Sequence, residues 1–208
     1  MTTTTRRIAK TALFLLALVP VAWLAWGIVQ GTLGVNPAET IQLQTGLWTL
    51  RFLLVTLAVT PVRRLTGWNT VVQFRRMVGL FAFFYATLHF SAYFAFDLNF
   101  AIETMVTDVI KRPFILLGFA AFLLMIPLAL TSTRGWIRRL GRRWQALHRL
   151  IYASAILGVL HFIWKVKVII GEPVVYAAIL AALLGIRVAW TARKRVAARR
   201  RAISNAAA

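Results

Sequence analysis

The 208-residue sequence contains no cysteine. That absence excludes disulfides, cysteine-held iron–sulfur clusters, thiolate-ligated haem and C-x-x-C-H attachment of a c-type haem. Acidic side chains are scarce too, with five Asp and Glu against 25 Lys and Arg. Histidine is limited to His89, His148 and His161. These three are nearly the whole supply of strong transition-metal ligands. Neither G-x-x-x-x-G-K-[ST] nor G-x-G-x-x-G occurs, so neither a P-loop nor a Rossmann unit is expected. No polar stretch is long enough for a separate soluble domain.

What is abundant is apolar. Hydrophobic residues make up 60% of the chain and charged ones 14%, a balance outside the soluble class. Six apolar segments, at about 10–30, 45–62, 77–96, 113–131, 148–167 and 173–191, approach or exceed the ~20 residues that span a bilayer. Barrel strands would alternate and be about half as long. The expectation is an all-α membrane protein, a six-helix bundle in one membrane domain, followed by a basic tail at 192–208. Lys165 and Lys167, at the end of the fifth segment, must snorkel or lie outside it.

The charges report topology. Arg6, Arg7 and Lys10 precede the first span, and Arg63, Arg64, Arg75 and Arg76 lie between the second and third. Arg134, Arg138, Arg139, Arg142, Arg143 and Arg149 surround the fourth connection. Arg187, Arg193, Lys194, Arg195, Arg199, Arg200 and Arg201 end or follow the sixth span. If the spans alternate, these 20 of the 25 basic residues share one side, and Glu39, Asp97, Glu103, Asp108 and Glu172 share the other. The positive-inside rule then sets both termini in the cytoplasm. The net charge of +20 is a membrane signal, with anionic-lipid contact as a secondary effect, and not a nucleic-acid footprint. Thr5-Arg6-Arg7 reads as the basic flank of a first membrane helix rather than as an export signal.

Depth separates the histidines. His89 lies 13 residues beyond Arg76, and His161 lies 12 beyond Arg149. At about 1.5 Å per residue both sit roughly 18–20 Å from the basic edge, on helices running the same way. Two imidazoles at matched depth suit axial ligation of a haem plane. Arg51, near that depth in the second span, either pairs with a haem propionate or snorkels to the outer interface. His148 belongs to the inner edge, 13 residues before His161. It can bind a second iron from one side, hydrogen-bond a cofactor or contact headgroups, beside Arg75 and Arg76, which suit phosphate or propionate groups. Trp23, Trp26, Trp48 and Trp68 read as interfacial belt residues.

The stretches Arg75-Arg76-Met77-Val78-Gly79-Leu80 through Leu88-His89, and Arg142-Arg143-Trp144-Gln145-Ala146-Leu147-His148-Arg149 to Leu160-His161, resemble the MsrQ (YedZ) family. So does Gly46-Leu47-Trp48-Thr49-Leu50-Arg51 followed by Thr60-Pro61, and the resemblance covers roughly residues 40–190. The family lies in the ferric-reductase-like transmembrane group. The resemblance implies a haem b protein of the bacterial inner membrane, associated with FMN. Such a protein would pass electrons from the quinone pool or a cytoplasmic flavin donor to MsrP, a periplasmic molybdenum-cofactor methionine sulfoxide reductase. Relatives in the wider group commonly stack two bis-histidine haems. Here the third helix has only His89, with Arg75 at the position 14 before it, so one haem is expected and a second stays open.

The expected metal ligands are therefore His89 and His161, with His148 as a third candidate, and the further cofactor contacts are Arg51, Arg75 and Arg76. The chain is expected to carry electrons for an oxidoreductase system, not to be its catalytic subunit. The competing readings are a stand-alone ferric or quinone reductase and a non-redox transporter or scaffold. Intramembrane acids and paired broken helices, which transporters often use, are missing from the sequence.

Overall fold

The computed structural model describes residues 2–166 and 171–206, so Lys167 lies outside the described residues. Among the described residues the chain is helical and contains no strand. Its helices are α1 Thr3–Gln30, α2 Pro37–Thr66, α3 Arg75–Ala92, α4 Ile102–Lys111 and α5 Pro113–Leu130. They continue with α6 Arg134–Leu140, α7 Arg142–Leu147, α8 Leu150–Val166 and α9 Glu172–Ala206. Six helical stretches are long and apolar enough to cross a membrane: Thr3–Gln30, Pro37–Thr66, Asn69–Asp97, Pro113–Leu130, Arg142–Val166 and Glu172–Asn205. A membrane leaves no water for backbone polar groups, and a helix satisfies them within its own segment.

The helix ends follow local chemistry. Thr2 and Asn36 cap α1 and α2 by accepting the backbone N–H of Thr5 and Glu39, and Pro37 opens α2 where a missing N–H costs nothing. Gly31 and Gly67 close the same two helices in the left-handed region, at φ 64° and 72°, where a Cβ is disfavoured. Past α3, a π-helical turn at Tyr93–Asp97 and two left-handed residues, Asn99 and Phe100, reverse the chain into α4. Hydropathy does not announce α4. Its Ile102, Val106 and Ile110 form an exposed apolar row, while Asp108 accepts from Tyr93 Oη at 3.1 Å and pairs with Arg112.

Two antiparallel helix pairs make the frame. Along α2 and α3 the contacts run in opposite order, from Gln42 with His89, through Trp48 with Tyr85 and Phe52 with Phe81, to Thr56 against Gly79. Along α5 and α8 they run from Phe114 with His161, through Ala121 with Ser154, to Thr131 and His148, which lie just beyond the adjoining ends of the two helices. Stacked Phe83, Phe90 and Phe122 join the pairs across α3 and α5. The core between them holds Leu50, Leu53, Leu57, Ala82, Ala155 and Val159. The fully buried small residues Ala82 and Ala155 let the backbones approach closely, which is how helices associate without a hydrophobic drive.

Tyr85 attaches α1 to α3 through its hydroxyl. Pro20 lies inside α1, and Tyr85, fully buried on α3, enters that helix at the same turn. The Tyr85 hydroxyl donates to the Ala17 carbonyl at 2.8 Å and accepts from the Val21 N–H at 3.2 Å. Tyr85→Phe removes both bonds and keeps the ring. We expect it to lower stability by about 1–3 kcal/mol and to speed proteolysis between α1 and α2 in detergent. Unchanged melting and cleavage would show that ring packing alone holds α1.

Candidate functional site

His89 on α3 and His161 on α8 meet between the two helix pairs. Their ring centroids are 6.1 Å apart and their planes are inclined by 75°. Each imidazole is tied to a helix backbone. His89 Nδ1–H donates to the Gln42 carbonyl at 2.9 Å, and His161 Nδ1–H donates to the Phe114 carbonyl at 2.6 Å. A carbonyl only accepts, so the proton of each neutral ring resides on Nδ1 and the lone pair on Nε2. This tautomer leaves Nε2 free to bind a metal, and the Nδ1–H bond also raises ligand basicity. The Gln42 side chain, in turn, donates from Nε2 to Asp97 Oδ1 at 2.8 Å, tying α2 to the π-helical turn that follows α3.

Two imidazoles that bind one ion, each through a nitrogen at about 2 Å, set their centroids about 6 Å apart. At 6.1 Å between centroids, His89 and His161 fit that spacing and would be the residues to hold one iron. Among the described residues no cluster of three or more His, Cys, Asp or Glu side chains offers a competing all-protein metal site. Phe83, Phe90, Phe119 and Phe122 pack beside the pair's helices, and Phe114 lies against His161 at 6.1 Å between centroids.

His148 stands apart and has the opposite tautomer. Thr131 Oγ1 donates to the Pro127 carbonyl at 2.6 Å, which uses its only hydrogen. Its contact with His148 Nε2 at 3.1 Å is therefore accepted from an Nε2–H. His148 also stacks on Trp144 at 3.9 Å, and Trp144 Nε1–H donates to the Thr131 carbonyl. The structure thus brings two of the three histidines together and fastens the third to the end of α5. Arg75 and Arg76 open α3 at that basic end of the bundle.

Two arginines inside the apolar frame have protein partners. Arg51 donates from Nε to Tyr176 Oη at 2.9 Å and lies over the Trp48 ring at 4.7 Å. Tyr176 packs edge-on against Phe162, the neighbour of His161 in sequence, so Arg51 is linked to the histidine layer through α9. Arg187 is legible in the sequence only as a charge at the end of the sixth apolar segment. In the structure its guanidinium donates to the Leu57 carbonyl and to Tyr152 Oη. Pro61, four residues past Leu57, has no N–H to give that carbonyl, and this proline is the available signal.

Residues 44–159 match the family described as ferric reductase like transmembrane component. The protein-methionine-sulfoxide reductase heme-binding subunit MsrQ of Xanthomonas oryzae pv. oryzae is 50% identical over 205 residues, covering 96% of this chain and 92% of that protein. The MsrQ subunit of Xanthomonas euvesicatoria pv. vesicatoria is 52% identical over 198 residues, 92% of this chain and 89% of its own. That of Herminiimonas arsenicoxydans is 51% identical over 189 residues, 89% and 87%. No solved structure matches. Sequence kinship of this extent places the chain in the MsrQ family, within the ferric-reductase-like transmembrane group.

Proposed function

We propose that the chain is the haem b subunit of a methionine sulfoxide reductase system of the bacterial inner membrane. On this reading it passes electrons from the quinone pool or a cytoplasmic flavin donor to MsrP, a periplasmic molybdoenzyme that repairs oxidised proteins. One observation carries the reading: two Nδ1-tethered imidazoles, 6.1 Å apart, inside a six-helix membrane frame. Relatives named heme-binding subunits of a methionine sulfoxide reductase support it. The bound haem would supply a one-electron couple. His89 and His161 would hold it, the Gln42 and Phe114 carbonyls keep their tautomers, and the Phe114 ring packs against His161. A dry, low-dielectric setting and the hydrogen bonds to the ligand rings are the levers by which a protein tunes such a potential.

The ends of the bundle then divide the work. The acidic end, near His89 and His161, would be the periplasmic exit. Arg75, Arg76 and His148 would face the cytoplasmic entry, where arginines can contact an FMN phosphate or the donor. An autonomous ferric or quinone reductase is the second reading from the same haem site, and it needs no periplasmic partner.

Purified protein should be red, with a reduced b-type α-band. Adding the periplasmic molybdoenzyme and methionine sulfoxide should reoxidise the reduced haem. Colourless protein sinks the haem assignment, and reoxidation that ignores the molybdoenzyme favours the stand-alone reductase. Arg51 supplies a further expectation. Its Nε is spent on Tyr176, which leaves the Nη edge for a bidentate propionate. Removing this cation in Arg51→Met should lower the haem midpoint potential by on the order of 50 mV, because the reduced state carries one more negative charge. A redox titration with no downward shift would assign Arg51 to Tyr176 alone.

A further inference from the structure

The two histidine sites are built alike. Gln42 and His89 are separated by 47 residues, and so are Phe114 and His161. Four residues past each acceptor carbonyl, on the same face of the same helix, stands a glycine: Gly46 on α2 and Gly118 on α5. A Cβ on Gly46 would lie 3.1 Å from Cε1 and 3.2 Å from Nδ1 of His89. One on Gly118 would lie 2.7 Å from Nδ1 and 2.9 Å from Cε1 of His161. Among the described residues no other glycine is approached by a ring in this way, and both contacts fall on the edge that carries the tether.

An imidazole held only by Nε2 is free to rotate about its metal bond. The Nδ1–H bond to a carbonyl fixes one direction of the ring. Contact of the adjacent ring edge with bare backbone fixes the ring's approach to the helix. We propose that Gly46 and Gly118 are positioning residues for the two haem ligands, seating each imidazole against the helix that supplies its acceptor. Together they hold the ligand planes at their 75° inclination. The proposal rests on the bis-histidine haem reading above. Its consequence is electronic, because the angle between axial imidazole planes sets the splitting of the iron d orbitals. Strongly crossed planes give ferric low-spin haem a single large-g feature, whereas nearly parallel planes give three resolved lines.

Gly46→Ala, Gly118→Ala and, as a control, Gly185→Ala test this in the full-length, haem-loaded protein. A Cβ placed on Gly185, in α9, would meet nothing within 4 Å, so its substitution should leave the spectrum alone. Alanine is the better helix former, so a merely structural role predicts equal or higher stability and an unchanged haem. The positioning role predicts a shifted or lost large-g signal and a changed midpoint potential at normal melting. The change should be greater for Gly118→Ala, where the approach is closer. If Gly118→Ala does not accumulate, the decision falls to Gly46→Ala, which asks His89 to move only a few tenths of an ångström. Wild-type spectra and potentials in both variants, or a three-line signal in the unsubstituted protein, would overturn the proposal. Unsubstituted protein that binds no haem would instead remove the reading beneath it.

Discussion

His89→Ala and His161→Ala should each abolish the low-spin haem signal, whereas His148→Ala should leave it in place. Each member of the pair provides an Nε2 lone pair, because its Nδ1–H is committed to the Gln42 or Phe114 carbonyl. Loss of either ring leaves the iron with one protein ligand, so the remaining spectrum should be high-spin and haem retention should fall by roughly tenfold or more. His148 cannot substitute. Its Nε2 is protonated toward Thr131, its ring is pressed on Trp144, and it is fixed to the far end of α5. Haem quantitation and electron paramagnetic resonance on the three variants check the assignment. Retention of the low-spin signal in His89→Ala or His161→Ala would break the pairing, and so would its loss in His148→Ala alone. A second haem at the basic end would show as a separate component that His148→Ala removes while the first persists.

The frame of this site is more legible in the sequence than its detail. Six membrane helices follow from long, predominantly apolar segments, because a span requires length and hydropathy and tolerates an isolated charge such as Arg51 or Arg187. The matched depth of His89 and His161 follows from their distances to Arg76 and Arg149, since helix rise converts residue counts into depth. Their side-by-side placement comes instead from the packing of α3 against α5 and α8. The tautomers are not legible. They depend on the carbonyls of Gln42 and Phe114, and every residue has a carbonyl. Gly46 lies in plain view inside the Gly46–Arg51 stretch, yet its importance is the absence of an atom beside another helix's ring. Similarly, α4 leaves no hydropathy signal, because a ten-residue amphipathic helix such as Ile102–Lys111 contains no long apolar window. Arg51 stands out as costly within the second span, but nothing local points to Tyr176, 125 residues away, as its partner.

Arg187→Met should destabilise the bundle, and the loss should shrink when Pro61 is also replaced by alanine. Pro61 stands inside α2 and cannot donate to the Leu57 carbonyl one turn earlier. In a membrane interior that acceptor has no water to turn to. Arg187 reaches it from α9 and also donates to Tyr152 on α8, so one guanidinium joins three helices. Leaving a buried carbonyl unpaired costs about 1–3 kcal/mol, and the lost bond is charge-assisted. Pro61→Ala restores a backbone N–H at that position, which can satisfy Leu57 from within α2. The two substitutions should therefore couple by about 1 kcal/mol or more in a double-mutant cycle, read from thermal melts in one detergent. Equal costs of Arg187→Met in both backgrounds would mean that Arg187 does not serve the proline-freed carbonyl. Leu57 lies about 16 Å along α2 from Gly46, so the haem spectrum should survive the substitution. A simultaneous loss of haem would instead tie Arg187 to the cofactor, against the commitment of both its Nη groups to protein acceptors.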